Sequence, residues 1–349
     1  MKTVSVIVIN FNGLEDLPVC LESVVAQEYP DIELVIVDNA SSDGSREWLR
    51  AWVKKQSGMA RVSPASPRLL ENDSNIGFSP ALNQGIRATG GEHVMSLNPD
   101  VALEPSFISA LAEALEKPGV GSVSGKLLRF PPFARDGIVD TVGHVMFRNR
   151  LAENLGEGKR VESAFLEPAE IWGVCGAAAL YSREMLDDVA VDGEYFDEDF
   201  FAFWEDMDID WRAQMRGWKC VFEPRAIGYH RRGGTGYRKS VLVETHNYKN
   251  RYLMMMKNDS ARYVLRNLPG IVVTEILKGG ALLVRCPRAL LGLVDVVRLI
   301  PSMIRKRRVI QSRRLVSARD IERMFEPFDY KAWLKRHLLN RGEMISDEG

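Results

Sequence analysis

What this chain has little of narrows the possibilities first. Its four cysteines, Cys20, Cys175, Cys220 and Cys286, stand far apart, so neither a disulfide framework nor a paired zinc motif is indicated. A reducing cytoplasm is the default compartment. The formal net charge is only −1, which leaves no surplus of positive charge for a general nucleic-acid binder. The first apolar run, Val4 to Ile9, is too short for a signal segment, and no internal repeat or low-complexity tract is present. Apolar residues crowd positions 268 to 304, but Lys278, Arg285, Arg288, Asp295 and Arg298 interrupt them. That leaves no run near the roughly 20 apolar residues a spanning helix needs. The first turn, Asn10-Phe-Asn-Gly13, also lacks the Lys or Arg of a basic phosphate-binding loop, which argues against a nucleotidyltransferase.

What is present reads as alternating strands and helices. Val4 to Ile9 is β-branched and apolar, Leu14 to Gln27 has helical spacing, and Ile32 to Val37 is again strand-like. Strand, helix, strand in that order calls for a right-handed parallel crossover, the unit of a doubly wound α/β domain. The run Asp38-Asn-Ala-Ser-Ser-Asp43-Gly44-Ser45 then caps a helix through about Lys55. Further strands are expected at 68–71 and 93–97 and a helix at 106–115, whereas 120–170 reads as short strands and loops. The expected architecture is an α/β domain over residues 1–260, with a mostly parallel sheet flanked by helices. A helical, basic extension follows over 261–349.

Polar residues recur where apolar strands end. Asp38 and Asn39, Asn98 and Asp100, Glu205 and Asp206, and His230 all occupy such positions. Ligands of open α/β sheets bind at the carboxyl ends of the strands, so these side chains are candidates for one site. Asp100 offers oxygen to a hard divalent cation, while Asn-Pro-Asp is equally an ordinary turn. Asp38 is a hydrogen-bonding acid or a helix cap. Asn75, Gly77, Asn83 and Gly85 bring backbone and amides close to a ligand or form a simple glycine turn and polar helix face. In Phe203-Trp-Glu-Asp-Met-Asp-Ile-Asp-Trp-Arg212, Trp204, Met207, Trp211 and Met215 share one helical face, anchoring a helix whose acidic start faces outward. A surrounding apolar wall would raise one of those carboxylates toward a useful general base. Asp208 and Arg212 form an i,i+4 pair. His230 precedes Arg231-Arg232-Gly-Gly-Thr-Gly236, a metal-side imidazole followed by guanidiniums suited to a diphosphate.

The tail carries its own signal. From Leu290 to Ile304 a narrow polar stripe runs through Asp295, Arg298, Ser302 and Arg305, with apolar residues over the rest and Pro301 expected to kink the helix. The basic block Arg305-Lys-Arg-Arg308 with Arg313-Arg314 follows directly. A helix lying on anionic lipid and a helix buried in its own domain or a dimer both fit this pattern.

Five ordered blocks, Val4-Ser-Val-Ile-Val-Ile-Asn-Phe-Asn-Gly13, Val37-Asp-Asn-Ala-Ser-Ser-Asp-Gly-Ser45, Asn75-Ile-Gly-Phe78, Leu97-Asn-Pro-Asp-Val101 and Phe203-Trp-Glu-Asp-Met-Asp-Ile209, resemble the family 2 glycosyltransferases, and more narrowly their bacterial rhamnosyltransferase-like branch. The resemblance covers about residues 3 to 236. It implies a GT-A fold, a nucleotide-sugar donor, a divalent cation (Mg2+ or Mn2+) and inversion at the anomeric carbon. Carried across, Asp206 beside Glu205 matches the general base, and Asp100 and His230 match the metal side. Asn10, Asn12, Asp38, Asn39, Asn75, Gly77, Asn83, Asn98, Arg231 and Arg232 fall on the donor side. Asn98 stands where many members have the first acid of Asp-x-Asp, which makes the metal site less negative. Trp172-Gly-Val-Cys-Gly-Ala-Ala177 and Arg183 resemble the segment leading to the acceptor. The resemblance implies transfer of rhamnose from dTDP-rhamnose to a glycan or lipid-linked acceptor of a cell-surface polysaccharide, at the inner face of the cell membrane. A UDP- or GDP-hexose donor, or a catalytically silent nucleotide-sugar-binding scaffold, are the alternatives.

Overall fold

A computed structural model describes residues 1–56, 67–130, 137–161, 165–232 and 240–339. Its strands are β1 (Val4–Asn10), β2 (Ile32–Asp38), β3 (Arg68–Glu71), β4 (His93–Leu97), β5 (Val101–Leu103), β6 (Val120–Arg129), β7 (Val139–Thr141), β8 (His144–Met146), β9 (Ala152–Asn154), β10 (Ala169–Ile171), β11 (Ala178–Ser182) and β12 (Lys219–His230). The helices are α1 (Leu17–Val25), α2 (Ser45–Gln56), α3 (Phe78–Arg87), α4 (Phe107–Leu115), α5 (Arg183–Val189), α6 (Glu205–Arg216), α7 (Val241–Asn258), α8 (Ala261–Arg285), α9 (Gly292–Ser312), α10 (Ala318–Arg323) and α11 (Tyr330–Leu339).

The main sheet runs β10-β12-β6-β11-β4-β1-β2-β3, with β5 paired to β12 and β7 to β6. Strands β3, β2, β1 and β4 are parallel, as are β6 and β12, and β11 lies antiparallel between β4 and β6. Every residue of β1 is buried, as expected of a strand covered on both faces. Helices α1, α2 and α4 pack on one face through Leu17, Leu21, Leu49, Phe107 and Leu111. Helices α3, α5 and α6 cover the other through Leu82, Ile86, Leu186 and Ile209. The expectation of short strands after residue 120 needs correction, because β6 is a ten-residue central strand. Its Gly-Ser-rich sequence hides it, and the small residues are required by packing. A Cβ on Gly125 would sit 2.6 Å from the Phe107 ring and 2.7 Å from the Ala226 carbonyl oxygen.

The C-terminal helices fold back onto α6. Met303 and Ile310 of α9 join Met207, Trp211 and Met215 of α6 and Leu253 and Met254 of α7 in one apolar cluster, the face foreseen on α6. Pro301 lies inside α9 without ending it. Beneath the loop that precedes α6, Lys257 and Lys306 are both buried. Lys306 donates to Asp197, to Glu194 at 3.0 Å and to Asp199 at 3.0 Å. Lys257 reaches Asp197 and, at 3.0 Å, Asp208, which also accepts from Arg212 at 3.0 Å. Burial alone would favour neutral Asp197, but Lys257 and Lys306 outweigh it and hold its pKa well below the usual carboxylate range.

Much of the basic block is engaged within the chain, while Arg308 stays exposed. Arg305 pairs with Asp192 at 2.9 Å, Arg307 donates to the Met256 and Asp259 carbonyls, and Arg313 donates to that of Ala190. Cations on a helix packed against an acidic loop satisfy that loop first. A second correction concerns α8: over 25 continuous residues it is long and apolar enough to cross a membrane, because its helix begins well before the apolar stretch noted in the sequence and continues through Pro269.

We predict that Lys306→Met lowers unfolding stability by about 3 kcal/mol at pH 7, since it strands Asp197 with a single cation. A carboxylate with a depressed folded-state pKa contributes stability above its unfolded value and loses it in acid. Denaturant titrations should therefore show the gap between wild type and variant narrowing as pH falls below about 4. A constant gap would contradict the ion-pair assignment.

Candidate active site

The carboxyl ends of β1, β2, β4 and β12 open on a cleft of about 650 Å³. Asn39, Asn75, Asn98, Asp100, Glu205, Asp206, His230 and Arg232 line it, so residues spread over nearly 200 positions converge. Asn39, Asn98, Asp100 and His230 do so at or just past strand ends, whereas Glu205 and Asp206 open helix α6 instead of ending a strand, which corrects the expectation for that pair. Others named from sequence do not face it. Asp38 is fully buried, and its carboxylate accepts from Asn10 Nδ2 at 2.9 Å and the Ser41 amide at 3.1 Å and pairs with Arg46 at 3.0 Å. Asp38 and Asn10 thus support the wall from behind. The Asn12 side chain accepts from the Ser42 amide at 2.7 Å. Asn83 is buried between the Phe196 backbone and Glu198, which makes it a brace on the far side of α3. Gly77, at φ 96°, leaves no room for a Cβ, which would come within 2.6 Å of the Phe201 ring. Arg231 points away to Glu15 and Asp16. The following residues, Gly233 to Gly236, lie outside the described residues.

On one wall Asp100 and His230 face each other, with Nε2 3.4 Å from Oδ1. The other imidazole nitrogen, Nδ1, is 2.8 Å from Asp140 Oδ2, and Asp140 Oδ1 is held by Arg232 Nε at 2.6 Å. Burial disfavours the imidazolium, yet the two carboxylates outweigh it and raise the His230 pKa to about 9. Asp140 is the partner of His230 that sequence reading missed. Its only signal was an acid in the middle of the three-residue strand β7, and its partner lies 90 residues away. A divalent cation at Asp100 would take the place of the Nε2 proton, leaving one carboxylate oxygen and one imidazole nitrogen, oriented from behind by Asp140, as a donor set that fits it.

Across the cleft, α6 begins at Glu205. The chain reaches it through three non-glycine residues in left-handed backbone, Phe201, Phe203 and Trp204, a costly arrangement that persists only under external support. Asn250 of α7 supplies that support, donating to the carbonyls of Phe200, Ala202 and Phe203 at 2.7–2.9 Å. Ser79 adds an amide donor to Phe201 at 3.0 Å. Asp206 accepts from the backbone amides of Gly176 at 3.1 Å and Met207 at 2.8 Å. His144 Nε2 lies 3.8 Å from its Oδ2, and Cys175 completes a group of three donors within 4.8 Å of one another. Burial pushes the Cys175 thiol up to about 12. Neither Asn250 nor His144 was legible as a site residue: Asn250 acts through the loop before α6, and His144 reaches Asp206 from a strand more than 60 residues away.

Glu205 behaves differently from its neighbour. Burial, with Asp206 adding repulsion, raises its pKa to about 8.

This geometry coincides with the results of comparison. A family model described as glycosyl transferase family 2 matches residues 5–190, so the chain belongs to that family. The chain is 26% identical over 263 residues to the N-acetylglucosaminyl-diphospho-decaprenol L-rhamnosyltransferase of Mycobacterium tuberculosis, covering 68% of this chain and 78% of that protein. It is 25% identical over 228 residues to the poly-beta-1,6-N-acetyl-D-glucosamine synthase of Staphylococcus epidermidis, covering 65% of this chain. It spans about half the length of that synthase, 49%. Among solved structures, the fold matches the mannosyltransferase PcManGT of Pyrobaculum calidifontis in complex with GDP-Man and Mn2+, with a TM-score of 0.54 and 18% identity over 100% of this chain and 88% of that one. It also matches S. aureus TarS 1-349 in complex with UDP-GlcNAc, with a TM-score of 0.54 and 15% identity over 92% of this chain and 90% of that one. The fold is GT-A.

A buried acid with a raised pKa contributes stability that is fully present below its unfolded value and is lost as pH rises through the folded one. Glu205→Gln removes that loss. We expect the stability of this variant relative to wild type to rise by about 5 kcal/mol between pH 4 and pH 9 in chemical unfolding. Parallel pH profiles for the two proteins would show that Glu205 is not a buried neutral acid.

Proposed function

We propose that this chain is an inverting glycosyltransferase that moves a sugar from a nucleotide-sugar donor to a hydroxyl of a glycan or lipid-linked acceptor in cell-surface polysaccharide synthesis. The observation that carries this reading is one cleft with Asp206 on one wall and the Asp100–His230 pair on the other. In the reaction, the acceptor oxygen forms a bond to the anomeric carbon from the face opposite the leaving group. The bond from that carbon to the diphosphate oxygen breaks. Asp206 takes the hydroxyl proton, and the electron pair leaves with the nucleoside diphosphate. Asp100 and His230 would hold a divalent cation, which supplies charge neutralisation to the diphosphate. Arg232 lines the same wall. Asn98 contributes a neutral amide where a second acid would strengthen metal binding, which is consistent with a site that gains affinity when the donor is present.

The donor we propose is dTDP-rhamnose, a reading supported by similarity to a protein named as an L-rhamnosyltransferase. A UDP- or GDP-linked hexose is the competing reading within the same enzyme class, favoured by the matches to an N-acetylglucosamine polymer synthase and to structures holding UDP-GlcNAc or GDP-Man. Binding of a nucleotide-sugar panel with and without Mg2+ or Mn2+, followed by nucleoside-diphosphate release on the best binder, separates them. Metal-enhanced binding of dTDP-rhamnose with dTDP release supports both parts. Preference for UDP or GDP sugars removes the rhamnose assignment, and binding without release in any acceptor extract points to a silent scaffold.

Asp206→Asn is expected to lower turnover by about 10²- to 10⁴-fold with donor affinity nearly intact, as loss of a general base requires. Unchanged turnover rules that role out. Asp140→Asn should weaken Mn2+ binding by about 10- to 100-fold through its grip on His230, measured by calorimetry in the presence of nucleoside diphosphate. Equal Mn2+ affinity in the two proteins would remove Asp140 from the metal side.

A further inference from the structure

Helix α8 shows its apolar face to solvent. Leu265, Leu268, Val272, Ile276 and Leu283 fall on a single stripe at helical spacing, and all are exposed, Leu265 by 69% and Ile276 by 68%. Val273 and Val284 widen the stripe, Val284 being 84% exposed. The opposite face, through Tyr263, Ile271 and Thr274, is buried against the body. An apolar stripe of this extent on the outside of a folded chain marks a surface with a partner.

The helix does not lie across a bilayer, because polar bonds at its middle fasten it to the globular body. Thr274 Oγ1 accepts from Asn149 Nδ2 at 2.9 Å, the Gly270 carbonyl accepts from the Tyr330 hydroxyl at 2.7 Å, and Glu275 pairs with Arg251. Spanning would carry these groups into hydrocarbon, at several kcal/mol for each one left unsatisfied. A helix fixed along the body with its apolar stripe outward has the geometry of one that lies in an interface.

Charge decides the occupant. Arg262 and Arg266 are exposed at the start of α8, and Arg285 and Arg288 are exposed at its end. In a twofold pairing of two copies through this stripe, parallel or antiparallel, every helix end meets a helix end, so arginine faces arginine. An anionic leaflet instead satisfies both ends at once. The surface also continues toward the cleft. Gly292 packs on Thr245 of α7, where a Cβ would sit 3.0 Å from Thr245 Cγ2. The first turn of α7 carries Leu242 and Val243, which line the cleft, and exposed Leu291, Leu293 and Val294 flank Gly292.

We infer that α8 and the start of α9 dock the chain on the anionic face of a lipid bilayer, with the cleft mouth beside the lipid surface. The role of this docking, access to a lipid-linked acceptor, rests on the function proposed above; the docking itself does not. The test is sedimentation of the full chain with phosphatidylglycerol/phosphatidylethanolamine vesicles and with phosphatidylcholine vesicles, alongside Ile276→Glu/Leu283→Glu and Arg285→Gln/Arg288→Gln. Both substituted pairs face solvent, so thermal melting should match wild type. Wild type is expected to partition onto the anionic vesicles, with partitioning lowered at least about tenfold by the glutamate pair and also lowered by the glutamine pair. Donor hydrolysis in free solution, measured in parallel, reads the catalytic proposal separately and should be the same in all three proteins. Absence of wild-type partitioning, or equal partitioning of the glutamate pair, overturns the inference. So does a wild-type dimer by light scattering that the glutamate pair abolishes without any vesicle binding.

Discussion

The placement of the acids at the start of α6 depends on charge buried beneath them. Asp208 sits fully buried one turn into the helix, tied to Arg212, Lys257 and Asn258, and Lys257 and Lys306 together hold Asp197 at the head of the incoming loop. Two buried lysines among four carboxylates are tolerable only because each has several partners; removing one partner exposes the full desolvation cost of the others. The network fixes both ends of a segment whose backbone would not otherwise hold three consecutive-range left-handed residues, Phe201, Phe203 and Trp204. The lysines come from α7 and α9. Helices outside the family match of residues 5–190 therefore help to build the wall of the cleft formed by the start of α6.

Much of the sheet was legible because parallel strands covered on both faces must be continuously apolar, and β1, β2 and β4 are. Polar residues at strand ends, Asn39, Asn98, Asp100 and His230, mark one rim of the sheet. The failures share a cause. β6 is built from small residues that answer to helix packing across the sheet, so its sequence lacks the β-branched signal. Asp38, Asn10 and Asn83 are polar residues near the rim whose bonding turns them inward. Only the register of Asn10 with Asp38 and the reach of Arg46 reveal that. Asp140 and Asn250 gain their importance from residues 90 and about 50 positions away, a distance over which local pattern carries no information.

The tail shows the same limit in reverse. A run of arginines and lysine after an apolar helix resembles a lipid-binding patch, yet α9 lies against the acidic segment Asp192 to Asp199, where Arg305 and Lys306 find their partners. The exposed apolar surface belongs chiefly to α8, whose polar residues Thr274 and Glu275 face the body. Amphipathicity in the sequence identifies two faces of a helix without saying which one meets solvent. For α8, the hydrogen bonds to Asn149, Tyr330 and Arg251 settle the direction.

Glu205 and Asp206 are adjacent in sequence and opposite in environment, and this difference separates their roles. The Glu205 side chain is buried, one of its oxygens has no partner, and its pKa near 8 keeps it neutral at pH 7. Asp206 faces the cleft, with backbone amides donating to both of its oxygens. Two carboxylates this close repel when both are charged, so a proton retained on the buried one lowers the cost of charge on the exposed one. Glu205→Gln would preserve that neutrality while losing the acidic proton, whereas Asp206→Asn would remove the carboxylate that faces the cleft. Glu205 follows directly on the left-handed residues Phe203 and Trp204, so the backbone that starts α6 there also sets the burial that keeps Glu205 neutral.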